Sequence, residues 1–507
     1  MRALVKFVLI FITFSVTSKT VNTLNILAVL PFEGKSHFIG FQPYLQELVR
    51  RGHNVTVISH FPDNFNKTHY HDISLAGKSK ILQNVFTIHR SYKAIIDVSL
   101  FLVETGTANC KLMLSDENVQ NLVKTRAKFD VVLVEVFNTD CGLGLAYKLD
   151  APVVGITTHM ILPWHYRRLG INYNPSFVQF LFLEGGTKPN FYQRIERSVF
   201  YIYYNLLYTY FTQRIDQQTI EDYLGPVPPL EELAREVKLT LVYQNLGLTG
   251  SNLLPSNLIE VGGYHVAEPK PLQQDLKKFI EDSPHGVIYV SFGSMLKASL
   301  TPRALVQTII DAVSELPQRV IWKWEEEFLP GKPKNIFSSK WLPQNDILAH
   351  PKVVAFYSHC GMMSTTEAIH YGVPVVGMPI FGDQPANAAA IEESGLGVQI
   401  QLRDVTKELL VEKFNTVLDP KFRENVKKVS RVFHDRPLSA MDSAIYWTEF
   451  AARNRNLSLR SRSADVPYYK FLCLDILFMV FSTLFIVKIV VKTILCKNKV
   501  KNKSKRD

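Results

Sequence analysis

The sequence predicts an α/β protein: two doubly wound domains facing each other, followed by one membrane-spanning helix near the C-terminus. Three observations carry this. Short apolar runs alternate with helical stretches through the first 240 residues, the pattern of βαβ units on a parallel sheet. The same alternation restarts near residue 239 and continues to about 378. Finally, Phe471 to Val491 is an apolar run of 21 residues interrupted only by Asp475 and Lys488. At 507 residues the chain is long enough for two full cores.

Taken in order, residues 1–23 read as a secretory signal. Arg2 and Lys6 precede the apolar run Phe7 to Val16, and small residues follow at Ser18 and Thr20. The first domain, 24–240, holds the strand candidates Asn25 to Pro31, Asn54 to Ser59, Val131 to Val136 and Pro152 to Thr157. Helical stretches such as Phe41 to Arg51 and Gly142 to Leu149 separate them. The second domain, 241–450, takes Leu239 to Tyr243, Val287 to Ser291, Val320 to Trp322, Val353 to Tyr357 and Pro374 to Met378. The linker is placed near 235–250, with the Pro-rich Gly225 to Pro229 as a competing boundary. The aromatic stretch from Trp164 to Phe211 reads first as a helical subdomain core. A pocket wall and a surface on a bilayer interface are its functional alternatives.

After a juxtamembrane segment at 451–469, the span is placed at 470–491. As a helix its apolar run measures roughly 31 Å, about the thickness of a bilayer's hydrocarbon core. A basic tail, 492–507, follows. Thirteen Lys and Arg against three Asp lie in residues 451–507, a net of +10 out of the chain's +11. Basicity is therefore a property of the tail, and a nucleic-acid surface is excluded. Positive residues after the span put the tail in the cytosol and the domains on the lumenal side, a type I membrane protein. Lumenal exposure makes Asn54, Asn66 and Asn456 glycan acceptors by pattern. The five cysteines have no metal spacing, and Cys110 and Cys141 read as two separate buried thiols, a bridge being the alternative.

The chemistry concentrates between Trp341 and Gln384. The order is Trp341-Leu-Pro-Gln344, then Ser358-His-Cys-Gly-Met-Met-Ser-Thr-Thr-Glu367, then Gly382-Asp-Gln384. An apolar strand, a tight turn and a helix start present backbone N–H groups and a positive dipole end to a phosphate. Gly361 allows close approach, and His359 can donate to an anionic oxygen. This segment resembles the signature of UDP-glycosyltransferases, with a wording closest to insect members, and the similarity covers nearly the whole chain. The resemblance implies a GT-B-like architecture with two Rossmann-like domains. It also implies that Trp341 stacks on uracil, Gln344 bonds the nucleoside and Glu367 accepts from the ribose. His359, Gly361 and Ser364 then hold the diphosphate, with Gly293 and Ser294 touching it from a second turn. Asp383 and Gln384 bind the sugar. Met363 stands where many relatives have Asn, so one polar contact to phosphate is missing.

In similar enzymes the histidine matching His37, just after the first strand, is the general base that takes the acceptor's hydroxyl proton. Such a base needs a carboxylate to fix its tautomer. The family pattern has Asp at the place held here by Glu135, and Asp140 follows in Asn138-Thr-Asp-Cys141. Asp140 is slightly favoured as the partner, with a helix N-cap as its competing role. No Asp-x-Asp pair lies near the site, so the reading has no metal and no cofactor beyond the UDP-sugar co-substrate. The function implied is inverting transfer of a hexose, glucose by preference, to a hydroxyl of a small lipophilic acceptor such as a xenobiotic, pigment or steroid. The setting is detoxification at the endoplasmic reticulum membrane, and a homo-oligomer is compatible with it. The alternative is a catalytically silent membrane protein that binds a lipophile or nucleotide sugar.

Overall fold

The computed structural model describes residues 23–503 apart from 64, 80–91, 251–253, 294–300, 328, 332, 334 and 458. The expected signal segment through residue 22, Ser294 and the last four residues lie outside the described residues. The first sheet contains β1 (Asn25–Leu30), β2 (Asn54–Ser59), β3 (Tyr70–Ser74), β4 (Val131–Glu135), β5 (Val153–Ile156), β6 (Leu239–Val242) and β7 (Leu258–Glu260). They lie in the order β3-β2-β1-β4-β5-β6-β7, every pair parallel. The second contains β8 (Val287–Ser291), β9 (Arg319–Lys323), β10 (Ile336–Ser339), β11 (Val353–Ser358), β12 (Val375–Gly377) and β13 (Gly397–Gln399). Its order is β10-β9-β8-β11-β12-β13, again parallel throughout.

The helices that matter below are α1 (Lys35–Arg50), α2 (Tyr92–Ser115), α3 (Cys141–Lys148), α4 (Phe191–Leu207), α5 (Gln213–Leu224), α6 (Met362–Tyr371), α7 (Gln384–Glu393), α8 (Ala440–Arg453) and α9 (Leu474–Lys503). Parallel strands covered by helices on both faces must be apolar on both faces. That is why Ile26 to Val29 and Val131 to Leu133 are completely buried. Each Ile, Leu or Val among them contributes about 1.5–3 kcal/mol on burial.

Sheet order fixes where ligands go. Strand order reverses between β1 and β4 in the first sheet and between β8 and β11 in the second. Open parallel sheets bind ligands beyond the carboxyl ends of their strands at such reversals. The helix that follows β1 carries His37 in its first turn, β4 ends on Glu135, the loop after β8 carries Gly293, and the loop after β11 carries His359.

Two expectations are corrected. Leu239 to Tyr243 was expected to open the second sheet, with the domain boundary beside it. Instead β6 pairs with β5 in the first sheet (Val154↔Leu239, Ile156↔Leu241), and β7 extends that sheet to Glu260. An all-apolar strand carries no mark of which sheet will bury it. Cys110 and Cys141, expected as separate thiols, form a disulfide with Cα atoms 5.6 Å apart. It joins α2 to the start of α3, a proximity that a sequence separation of 31 does not reveal.

Helix α8 crosses back to the first domain. Thr448 Oγ1 meets the Tyr44 hydroxyl of α1 at 2.5 Å, and Asp442 pairs with Arg51 at 2.6 Å. The aromatic stretch is indeed core in part: Trp164 stacks on Tyr208 and Phe182, with centroids 5.6 and 6.0 Å apart. Its Tyr192, Tyr210 and Phe211 are exposed. In α9, Leu474–Cys496 has a mean hydropathy of 2.4, long and apolar enough to cross a bilayer.

Beside the disulfide, Asp216 of α5 is fully buried. Its Oδ2 accepts from the Thr139 hydroxyl at 2.7 Å and the Asp140 N–H at 2.8 Å, while Oδ1 has no partner among the described residues. Burial raises its pKa to about 7; those two hydrogen bonds oppose the rise and the Asp140 charge adds to it. A carboxyl that ionises at 3.8 unfolded and near 7 folded stabilises fully below 3.8, and this contribution fades as pH climbs through 7. The loss is on the order of 4 kcal/mol. Asp216→Asn keeps an acceptor for both donors and cannot ionise. Between pH 4 and 8 its Tm should hold steadier than that of the wild type and exceed it at pH 8.

Candidate active site

The two strand-order reversals face each other across a cleft of about 390 Å3. On the first domain's side its walls are mostly apolar: Phe32, Val98, Phe101, Leu102, Phe137, Leu162 and Phe182, with His37 and His159 among them. On the other side lie Gly293, Lys323, Trp341, Gln344, His359, Gly361, Ser364, Glu367, Asp383 and Gln384. Every donor-side residue expected from sequence, except Ser294 outside the described residues, lines this one cleft.

His37 sits in the first turn of α1. Gly34 precedes that helix without a side-chain cap, and the His37 N–H donates to the Gly34 carbonyl at 3.0 Å. Its ring is wedged between Phe32 and Phe137, each centroid 4.7 Å away. Nδ1 meets Glu135 Oε1 at 2.6 Å. A carboxylate there keeps the proton on Nδ1, so Nε2 is the basic nitrogen. Both groups stand at the β1–β4 reversal because β1 and β4 are neighbours in register, Val29 opposite Val134.

Asp140 does not reach His37, which corrects the expected preference for it. Its carboxylate is buried and accepts from Arg168 Nη1 at 2.8 and 3.0 Å, the Tyr208 hydroxyl at 2.9 Å and Gln213 Nε2 at 3.0 Å. It stands at the start of α3 without capping it through its side chain. Burial would push this carboxyl upward, but the charges of Arg168 and His165 and the hydrogen bonds hold it below the ordinary range.

On the donor side, Gln344 Nε2 bridges Ser364 Oγ (2.9 Å) and Glu367 Oε2 (2.6 Å), and His265 Nε2 lies 3.3 Å from Glu367 Oε1. Tyr243 holds the other side of His265. Three residues expected as separate ligand contacts thus form one preorganised network. Gly361 begins α6 with no side-chain cap, so the first-turn N–H groups of Met362, Met363 and Ser364 are left for an anion. His359 is buried, and burial together with Lys323 lowers its pKa to about 4, so it stands beside these N–H groups as a neutral imidazole. Methyl groups at Gly293 and Gly361 would lie 2.6 and 2.5 Å from its Nε2. At Gly293 φ is also +81°, a second reason for glycine.

Trp341 is 58% exposed at the cleft mouth, with Lys35 and Lys323 ammonium groups 5.1 and 5.7 Å from its ring centroid. Gln384 lines the cleft, and its Oε1 accepts from the Ile380 and Phe381 N–H groups, bracing its own loop. Asp383 accepts from Asn387 at 2.8 Å, and burial raises its pKa. Met363, the departure from the family pattern, packs across the cleft: a methyl at Gly40 of α1 would meet its sulfur at 3.0 Å.

Sequence reasoning missed Lys323, His265 and His159. Lys323 ends β9, donates to the Gly293 carbonyl at 2.7 Å and pairs with Glu325 at 3.0 Å, which buries a cation beside the Gly293 turn. One signal was legible: a lysine closing the apolar strand Arg319–Lys323 in the second sheet. Of the glycan candidates, Asn66 and Asn456 are exposed. Asn54 begins β2, its amide engaged with Asn25 and His69 at 2.9 and 2.7 Å.

The comparisons agree with this architecture. The sequence pattern of the family described as "UDP-glucoronosyl and UDP-glucosyl transferase" matches residues 25–507. UDP-glucosyltransferase 2 of Dactylopius coccus is 34% identical over 96% of each chain. UDP-glucuronosyltransferase 2B10 of Homo sapiens is 28% identical over 87% of each. Among solved structures, the glycotransferase of kitacinnamycin superposes with a TM-score of 0.60 at 18% identity, covering 85% of this chain and 99% of its own. The glycosyltransferase VinC, solved with dTDP, gives 0.58 at 15% over 85% and 100%. These likenesses show the GT-B fold. With a matching pattern over nearly its whole length, the chain belongs to the family of UDP-glucuronosyl and UDP-glucosyl transferases, enzymes that move a hexose from a UDP-sugar.

Proposed function

We propose that the protein transfers glucose from UDP-glucose to a hydroxyl of a small lipophilic acceptor, with inversion at the anomeric carbon and His37 as general base. The observation that carries the reading is the 2.6 Å contact of His37 with Glu135 in the cleft's apolar wall, opposite the phosphate turn. The acceptor O–H gives its proton to His37 Nε2 as its oxygen forms a bond to the anomeric carbon. The bond from that carbon to the diphosphate breaks, and UDP leaves with the electron pair. Glu135 stabilises the imidazolium. The charge gathering on UDP is met by the uncapped N-terminus of α6, by His359 and by the buried Lys323, so the step is proposed to run without a metal ion. The apolar walls favour lipophilic acceptors. Similarity to a UDP-glucosyltransferase supports glucose as the sugar.

The apolar α9 and its basic tail support a membrane-anchored enzyme with both domains in the lumen of the endoplasmic reticulum. The Cys110–Cys141 bridge is consistent with that oxidising compartment.

The test is UDP release by the purified full chain given UDP-glucose and simple phenols. Turnover that His37→Ala abolishes supports the reading; undiminished turnover in that variant removes it. The donor side has its own test in Gly361→Ala. Gly361 has φ −62°, which alanine accepts, so the fold should persist while His359 is displaced. We expect kcat/KM to fall on the order of 100-fold, with a Tm lowered by only a few degrees as the buried ring is forced aside. A variant with wild-type kinetics would show that His359 does not hold the donor.

A further inference from the structure

One cleft group is unused by this mechanism. His159 follows β5, one strand beyond Glu135 at the carboxyl edge of the first sheet. Its side chain lines the cleft and is only 6% exposed. The ring lies 5.7 Å from that of His37 and 5.3 Å from that of Phe137. Nδ1 is 2.6 Å from the Met160 carbonyl, an acceptor, so the proton must sit on Nδ1. Nε2 is then a bare lone pair, and it has no hydrogen-bond partner among the described residues. Burial first, and the neighbouring His37 second, lower the His159 pKa to about 3, so the ring stays neutral at any physiological pH. The Thr157 hydroxyl donates to the His159 carbonyl at 2.6 Å and accepts from the Tyr243 N–H at 3.0 Å, which pins the backbone. A fixed, buried, unsatisfied acceptor in the wall of a substrate cleft is costly unless a ligand satisfies it.

We propose that His159 Nε2 is an acceptor-binding subsite that takes a second hydrogen-bond donor on the substrate, so that the cleft selects molecules with two adjacent hydroxyls, catechols or vicinal diols. This rests on the reading of His37 as base: one hydroxyl gives its proton to His37 while its neighbour donates to His159. Nε2 is closed off from water, so the subsite opens only as the entering substrate displaces neighbouring side chains. A hydroxyl that cannot be matched on one analogue separates the two well, because a site built around a hydrogen bond rejects a substrate lacking it.

The experiment compares catechol with 2-methylphenol, whose methyl group matches a hydroxyl in size but donates nothing. It uses the full chain and the UDP-sugar that supports turnover. The wild type should favour catechol at least about tenfold in kcat/KM, mainly through KM. His159→Phe should bring the ratio close to one, and His159→Gln, which returns a carbonyl oxygen, should restore most of it. A wild-type ratio no greater than the twofold given by catechol's two equivalent hydroxyls overturns the subsite, with no variant needed. A ratio unchanged in His159→Phe overturns it as well. If His159→Phe does not fold, the wild-type ratio and the Gln variant decide. Turnover that depends on His37 with a flat ratio removes the subsite alone, whereas turnover independent of His37 removes the mechanism beneath it as well.

Discussion

Replacing Glu135 with glutamine should lower kcat by about 10^3- to 10^4-fold while leaving KM for the UDP-sugar nearly unchanged. The size of the effect follows from the hydrogen bond that sets the tautomer of the proposed base. Glu135 Oε1 lies 2.6 Å from His37 Nδ1, and the carboxylate is almost fully buried. As a carboxylate it can only accept, so it holds the Nδ1–H tautomer and offers a negative charge to the imidazolium that forms. Glutamine occupies the same volume and supplies neither reliably. If its NH2 turns to His37, the proton moves to Nε2 and the base is blocked. If its carbonyl turns there, the tautomer survives but the counter-charge is gone. Donor affinity should persist because Trp341, the Gln344–Ser364–Glu367 network and the α6 N-terminus belong to the second domain. Glu135→Asp withdraws the carboxylate by one methylene and should fall between the two, near 100-fold. Steady-state UDP release against both substrates measures this. A kcat within threefold of wild type for Glu135→Gln would remove Glu135 from the mechanism.

Much of the donor half was legible in the sequence because it is built from local chemistry. Residues 353–367 form one strand, one turn and one helix, and their roles follow from what a glycine and uncapped N–H groups can do at that junction. The acceptor half was less legible because its contacts join distant segments. His37 and Glu135 are 98 residues apart and meet only because β1 and β4 are neighbours. Asp140 carries the same charge five residues on, and no sequence signal says that it turns away toward Arg168. The same holds for β6, whose sheet is chosen by the path of the chain, and for Cys110 and Cys141, brought together because α2 and α3 both pack against α5. Lys323 and His159 were overlooked for another reason. Each ends or follows an apolar strand, where a lone polar residue reads as loop until the opposite wall is visible.

Asp140→Asn tests that division directly, because it should damage the fold and spare the chemistry. The Asp140 carboxylate collects four hydrogen bonds from Arg168, Tyr208 and Gln213, and the Arg168 guanidinium also pairs with Glu231 at 3.0 Å. Both Asp140 and Arg168 are nearly fully buried. Removing the Asp140 charge leaves the buried Arg168 with only the part-exposed Glu231 to balance it, at a cost of about 3 kcal/mol. The Tm should therefore drop on the order of 10 °C. At a temperature where the variant remains folded, its kcat should stay within a few-fold of wild type, since no atom of Asp140 touches His37. The paired change Asp140→Leu with Arg168→Met should recover part of the lost stability, because the penalty of a buried pair lies in orphaning one charge and not in lacking both. Recovery will be incomplete, as Tyr208, Gln213 and Glu231 each lose a partner. Thermal melts of the two variants beside their kinetics decide the matter: if Asp140→Asn melts like wild type yet loses 10^3-fold in kcat, Asp140 belongs to the catalytic apparatus and the Glu135 assignment falls with it.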